Sequence, residues 1–386
     1  MMGLIQPRQP SKTIALVQIL RFFAAAIVLF SHIEDRTVPM AQKFHSHAWA
    51  FGFNGRFGVD IFFVISGFIM CWIGLKAFGE RNGPRNFIVD RVTRIVPLYW
   101  VCTLALVVVT LGLAHFGNPD ATDKIDFGVV KSLFFIPYLN DAGKHRPFLG
   151  QGWTLDHEMM FYAIFGACLF FKRGWGMLLM ATAFAAFYIA GMLPGVPHVF
   201  KIWGDPIIFE FLVGFGLCLL YQRYKVSLVL PFAWAVPMVA IGLATAVFGD
   251  GPGLELPRAL TAIVIVAFAV FTVDAKPIPL LERTLEKLGN ASYSLYLTHG
   301  FVLLFVGIVW RKLFHGHYLP LYALVNIALA LPLGYLVHIW CELPLTRAIR
   351  TLALKLGLTD RVTSPVPSAD DQPVKVASKR RRMPIF

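Results

Sequence analysis

The sequence predicts an all-α integral membrane protein, a bundle of about ten transmembrane helices with both termini in the cytoplasm. Three observations predict it. Of 386 residues, 57% are hydrophobic and only 15% charged, whereas an ordinary soluble domain is about one quarter charged. The apolar residues come in runs such as 96–114, 227–248 and 257–273, near the roughly 20 residues that a helix needs to cross a bilayer. Placing the N-terminus inside leaves 23 of the 35 Lys and Arg on the cytoplasmic side and 11 outside, with Arg21 within a span. That bias follows the positive-inside rule. Ten-residue alternating segments, the mark of a membrane β-barrel, are absent.

Hydropathy places the spans at 14–33, 56–75, 96–115, 153–171, 175–193, 204–221, 227–248, 257–273, 290–310 and 320–342. The first follows Arg8 and Lys12, as the apolar core of a signal peptide would, but its run is too long and no clear cleavage site follows. It is expected to be a retained helix. Residues 1–13 form a cytoplasmic N-terminus, 14–345 the membrane domain, and 346–386 a basic, largely disordered cytoplasmic tail. Within that tail, 356–386 is rich in Pro, Ser and charge and lacks an apolar period. Its cluster Lys379, Arg380, Arg381 and Arg382 suits anionic lipid, but a topology determinant or a solvated tail accounts for it more simply. The net charge of +13 is therefore read as membrane topology, not as a nucleic-acid surface. The five cysteines lie singly in apolar stretches, without metal-type or disulfide-type spacing.

Ionisable residues within spans are costly, so each is a functional candidate. Arg21 and His32 share the first helix in RFFAAAIVLFSH. Eleven residues at 100° end about 20° past three full turns, so both project from one face, about 16 Å apart along the axis. They would line one path at two depths. A neutral imidazole near the outer end can act as general base toward a hydroxyl, and Glu34 and Asp35 stand beside it to orient it. The competing reading is a hydrogen-bonded, inert histidine at a helix end.

The second span opens with GRFGVDIFFVISGF, where Asp60 can pair with an Arg or His and Ser66-Gly67 permits close helix approach. In KAFGERNGPRNFIVDRVTRIVPLYW, Arg91 and Arg94 are three apart and hence neighbours on a helix face. Two adjacent guanidiniums suit a diphosphate, although the topology rule alone also accounts for basic residues there. GQGWTLDHEMMFYAIF sets Asp156, His157 and Glu158 beside the interfacial Trp153, and one of the three is expected to face a cavity. Glu210, His299, His338 and Glu342 fall inside later spans. Phosphate-binding glycine loops, zinc-type histidine spacing and the GxSxG elbow are all missing, so no metal is expected.

These segments resemble acyltransferase family 3, the multi-spanning membrane acyltransferases that modify exported sugars. RFFAAAIVLFSH resembles the family's Arg-x10-His helix, GRFGVDIFFVISGFIM its G-x-G-V-D-x-F-F-V-x-S-G-F helix, and DRVTRIVPLYW its R-x-x-R-I-x-P-x-Y segment. GWTLDHEMMFY and ASYSLYLTH resemble two further blocks, and all five occur in the family's order between about 14 and 345. The form GWTLDHEMMFYAIF is most similar to the bacterial exopolysaccharide, succinoglycan-type O-acetyltransferases. Asp156 departs from the polar, often amide, residue of that branch, so no role for it is carried over. Some members append an extracytoplasmic hydrolase-like domain; any such partner is expected here on another polypeptide.

The resemblance implies a multi-pass protein of the bacterial inner membrane, an O-acetyltransferase with cytoplasmic acetyl-CoA as donor. Its acceptor would be a sugar hydroxyl of an exported polysaccharide or its lipid-linked precursor, with membrane lipids and the export machinery as neighbours. Arg91 and Arg94 would hold the CoA phosphates, and the pantetheine arm would run past Arg21 toward His32. His32 would deprotonate the hydroxyl or carry the acetyl group itself. Glu158 and His299 would line the acceptor end, with Asp60 and Trp153 contributing to substrate binding. Two other readings compete with this one. In a transporter, Arg21, His32, Glu158, Glu210 and His299 would form a proton or anion path, although no internal repeat is visible. A scaffold subunit of an export complex would tolerate loss of His32.

Overall fold

The computed structural model describes residues 5–7, 10–47, 52–115, 125–140, 143–224, 226–230, 235–248, 251, 253–274 and 279–360. Seven helical stretches among them are long and apolar enough to cross a membrane: Ala15–Phe44, Gly55–Ala77, Gly83–His115, Arg173–Met192, His198–Arg223, Ser292–Phe314 and Leu319–Lys355. The three remaining expected spans are shorter elements. Residues 153–171 correspond to α5 (Gly152–Cys168) and 257–273 to α10 (Glu255–Phe271). The run 227–248 divides into strand β2 (Val226–Leu230) and helix α9 (Ala235–Phe248). Continuous apolarity cannot distinguish one helix from a strand and a helix, because it carries no period.

Among the described residues the regular structure is helical apart from a three-stranded sheet. In it β2 pairs antiparallel with β1 (Ile5–Pro7) and parallel with β3 (Thr272–Asp274). Helix α1 (Pro10–Phe44) runs on to Phe44, well past the expected end at 33. Its Ala24, Val28, Leu29 and Ile33 are buried. The helix packs on α2 (Gly55–Gly74), α12 (Ser292–Phe314) and the amphipathic α11 (Pro279–Asn290). Helix α2 is the core of the bundle. Asn54 starts it by accepting a hydrogen bond from the Arg56 N–H at 2.8 Å, which satisfies one otherwise unpaired first-turn donor.

Helix α2 packs most closely on α8 (Ile208–Arg223). The contact depends on two glycines. A Cβ on Gly67 would stand 2.0 Å from the Phe211 carbonyl oxygen, and one on Gly214 would stand 1.9 Å from that of Val64. Small residues let helix backbones approach in membranes, where lipid provides no hydrophobic drive between helices.

Helix α3 (Gly83–His115) begins before the expected 96, so Arg91 and Arg94 lie on it and not in a loop. Helix α4 (Phe127–Leu133) and the segment 134–151 lead to α5, and α6 (Arg173–Met192) and α7 (His198–Trp203) follow. Helix α13 (Leu319–Val337) continues through a π-helical turn, His338–Glu342, into α14 (Leu343–Lys355). Residues 346–355, grouped with the tail by sequence, are therefore helical. The charged remainder, including Lys379 to Arg382, lies outside the described residues.

The last described residues, 350–360, are clasped to the start of α3. Arg350 Nη2 donates to Asp90 at 2.5 Å, Arg85 and Asn82 donate to Asp360 at 2.9 and 2.6 Å, and Thr359 donates to Asn86 at 3.0 Å. Asn86 and Asp90, four residues apart, share one face of α3, and Asn82 lies in the turn just before it.

Candidate active site

A cavity with about 1000 Å³ of empty space, counted to its open mouth, lies between α1, α2, α3, α5 and α12. Helix α1 contributes Gln18 and Arg21, α3 contributes Arg91 and Arg94, and α5 contributes Thr154, Glu158 and Tyr162. Ser292, Tyr293 and Tyr296 of α12 line it too, and apolar side chains of α2 form another wall. Three arginines from two helices thus face one space. The charges of Glu158 and Glu342 act on both Arg21 and Arg94. Arg21 Nη1 donates to Gln18 Oε1 at 2.8 Å, and the Tyr162 hydroxyl donates to Glu158.

Two polar atoms in this wall have no hydrogen-bond partner among the described residues, Arg91 Nε and Ser292 Oγ. A buried donor without a partner costs roughly 1–3 kcal/mol. A ligand that brings acceptor oxygens would relieve that cost, so the arginine end fits a phosphate-bearing group.

His32 and His299 are not among the cavity-lining residues. They stack on one another beyond Tyr296, with ring centroids 5.1 Å apart and planes 20° from parallel. Tyr296 lines the cavity, and its ring centroid is 6.1 Å from that of His299. It is the link between the two places.

The hydrogen bonds of the pair fix its tautomers when both rings are neutral. His299 Nδ1 is 3.0 Å from the Leu295 carbonyl oxygen, which can only accept, so Nδ1 carries the proton and Nε2 the lone pair. His32 Nδ1 lies 2.7 Å from that Nε2 and must donate to it. The remaining nitrogen, His32 Nε2, then carries a free lone pair, as a general base or nucleophile requires. The Gln151 amide nitrogen stands 3.5 Å from His299 Nε2, and the Tyr296 hydroxyl donates to the Gln151 carbonyl at 3.1 Å.

Helical geometry separates the three polar neighbours on α5, since successive residues point 100° apart. Asp156, buried, meets His145 Nε2 of the preceding segment at 2.9 Å. The His157 ring nitrogens lie 3.0 and 2.9 Å from the carbonyl oxygens of Trp153 and Ile202. Glu158 alone reaches the cavity. It stands with the arginines and Tyr162, whereas the expectation put it at the acceptor end with His299.

Asp60 does not line the cavity. It is fully buried and accepts from Arg258 Nε at 2.5 Å, because a carboxylate inside the bundle needs a counter-charge. Trp153 also stays outside the lining, and its ring lies 5.9 Å from the Arg56 guanidinium. Glu34, expected to orient His32, instead accepts from the Phe53 N–H at 2.8 Å.

Sequence reasoning passed over Tyr162, Gln151, and the exposed Arg36 and Arg146, whose charges reach His32. Tyr162 had a signal, standing four residues after Glu158 and hence on the same face. Arg146 had none, because a loop carries no period.

The pattern defining acyltransferase family 3, an acyltransferase domain, matches residues 14–340. The exopolysaccharide production protein ExoZ of Rhizobium meliloti (strain 1021) is 32% identical over 313 residues, covering 80% of this chain and 94% of that protein. The acyltransferase MdmB of Streptomyces mycarofaciens is 24% identical over 396 residues, covering 92% of this chain and 95% of MdmB. The peptidoglycan O-acetyltransferase OatA of Listeria monocytogenes serovar 1/2a is 24% identical over 291 residues, 65% of this chain but only 45% of OatA. No solved structure matches the chain. With the match spanning the helices that build both the arginine cavity and the histidine pair, the chain belongs to acyltransferase family 3 and is a multi-pass membrane acyltransferase.

Proposed function

We propose that the protein moves an acetyl group from cytoplasmic acetyl-CoA to a sugar hydroxyl of an exported polysaccharide or its lipid-linked precursor. Both termini would be cytoplasmic, in a bacterial inner membrane. The observation that carries this reading is a single cavity that holds Arg21, Arg91 and Arg94 and whose wall, at Tyr296, adjoins the His32–His299 pair. The names of two relatives, one for exopolysaccharide production and one for peptidoglycan O-acetylation, support a glycan acceptor.

Arg91 and Arg94 would hold donor phosphates through paired N–H forks, with Arg91 Nε among the donors to be satisfied. Glu158 and Tyr162 would keep the arginine array in place. At the other end His32 Nε2 would take the proton from the sugar hydroxyl as its oxygen attacks the thioester carbonyl carbon. The C–S bond then breaks, and the leaving thiolate receives that proton from His32. In the two-stage variant His32 Nε2 attacks the thioester carbon and expels the CoA thiolate as the C–S bond breaks; the sugar hydroxyl then attacks the acetyl carbon, the C–N bond to His32 breaks, and the hydroxyl proton passes to the thiolate. His299 serves both by holding the His32 Nδ1–H.

Labelled acetyl-CoA supplied to membranes that contain an acceptor glycan tests the proposal. The wild type should label the glycan, and His32→Ala should lose roughly 10²–10⁴-fold in rate, the usual worth of a general base. Label at the wild-type rate in His32→Ala would remove His32 from the chemistry. Absence of label in both, with intact protein, would refute the donor assignment.

A further inference from the structure

The neighbourhood of His32 beyond the cavity is basic. Arg36 lies one helical turn after His32 on α1, and residues four apart share a face. Arg146 comes from the segment before α5, far away in sequence. Five residues after Arg146, Gln151 sets its amide nitrogen 3.5 Å from His299 Nε2, which is itself 2.7 Å from His32, so this segment runs beside the histidine pair. Both arginines are exposed, neither has a hydrogen-bond or ion-pair partner at contact distance among the described residues, and the charges of both reach His32.

The segment that carries Arg146 is fastened on either side. His145 is bound to the buried Asp156 at 2.9 Å and bridges Leu139, and Asn140 closes a turn by accepting from the Lys144 N–H at 3.0 Å. The Ser132 hydroxyl accepts from the Phe148 N–H at 2.8 Å. The backbone that carries Arg146 is therefore held on both sides. One acidic side chain, Asp35, is exposed beside the two arginines, and the trio keeps a net charge of +1. Glu34 is turned away to the Phe53 N–H.

The orientation proposed above puts these arginines on the outer side, where membrane proteins carry fewer basic residues. Topology thus gives no reason for them. A guanidinium fork binds carboxylate or phosphate oxygens bidentately, and two forks in the neighbourhood of His32 would hold such a group close to the hydroxyl being acylated.

We propose that Arg36 and Arg146 form an anion-binding subsite for the acceptor, so that the sugar accepted at His32 carries a negative group close to its reactive hydroxyl. That group is either a uronate carboxylate within the glycan or the diphosphate of a lipid-linked precursor. The inference rests on the acetyltransferase reading above.

Competition for labelled-acetyl transfer to glycan in wild-type membranes tests it with three probes that share an octyl chain and a glucose ring. These are octyl glucoside, octyl glucuronide and octyl diphosphoglucose. One or both charged probes should inhibit at a concentration at least about tenfold below that of the glucoside, the scale of one charge-assisted hydrogen bond. Stronger inhibition by the glucuronide identifies a glycan carboxylate, and stronger inhibition by the diphosphate identifies the lipid-linked precursor.

The selectivity should collapse in the double variant Arg36→Gln with Arg146→Gln. A wild-type comparison needs no variant to fold: cationic octyl glucosaminide should compete less well than the glucoside. Equal potency of all probes in wild-type membranes, or selectivity kept by the double variant, overturns the subsite while leaving the acetyltransferase reading standing. Failure of wild-type membranes to label glycan without competitor overturns both.

Discussion

A proton on the wrong nitrogen would disable His32, and His299 determines which nitrogen carries it. The pair is a chain of two donations that ends on the Leu295 carbonyl and leaves His32 Nε2 free. Replacing His299 by Phe keeps a flat ring but removes the acceptor, so the His32 tautomer is no longer held. The expected result is a fall in kcat of roughly 10–100-fold, the scale seen when a hydrogen-bond partner that orients a metal-ligating histidine is lost. His299→Gln, whose amide oxygen can accept, should retain more activity than His299→Phe. Equal activity in the two variants would contradict the tautomer argument.

The buried Asp60–Arg258 pair is a residue-scale feature of another kind, holding α2 to α10 away from the cavity. Arg258→Ala leaves a carboxylate buried without its counter-charge and should cost about 3–5 kcal/mol. Asp60→Asn combined with Arg258→Met should cost less than Arg258→Ala alone, as read by thermal unfolding in detergent. Arg21 and His32 were legible in the sequence because their spacing of eleven is a helical repeat. The Asp60–Arg258 and His32–His299 contacts bridge 198 and 267 positions. No local period encodes them.

At the scale of elements, α3 carries Arg91 and Arg94, and the chain's last described residues hold its opening turns. Arg350 and Asp90 are both nearly buried, and Asp90 directly precedes Arg91 on α3. Arg350→Ala should lower thermal stability by about 3 kcal/mol or more and raise the KM for acetyl-CoA more than it lowers kcat. Unchanged stability and KM would show that the clasp does not set the position of α3. The α2–α8 contact is equally specific: Gly67→Ala drives a methyl into a backbone oxygen that cannot yield. Overpacking of this kind costs at least about 1–3 kcal/mol, and the yield of folded protein should fall with it. Most of the membrane-spanning helices were legible from apolar runs. The π-helical turn at His338–Glu342 and the split of 227–248 were not, because both depend on contacts between distant segments.

Across the whole molecule, the helices place three arginines in one cavity and a histidine with an open lone pair beyond its aromatic wall. The order of the chain brings this about: α1 spans both places, with Arg21 in the cavity and His32 eleven residues further on. The central claim is that the arginine end binds the donor while His32 performs the transfer. Paired measurement of acetyl-CoA affinity and acetyl transfer separates the two most directly. Arg91→Ala with Arg94→Ala should weaken donor binding at least about tenfold, the scale of one lost charge-assisted hydrogen bond, whereas His32→Ala should bind acetyl-CoA as tightly as the wild type and transfer almost none. Donor affinity unchanged in the arginine variant, or lost equally in both variants, would contradict the division of the site.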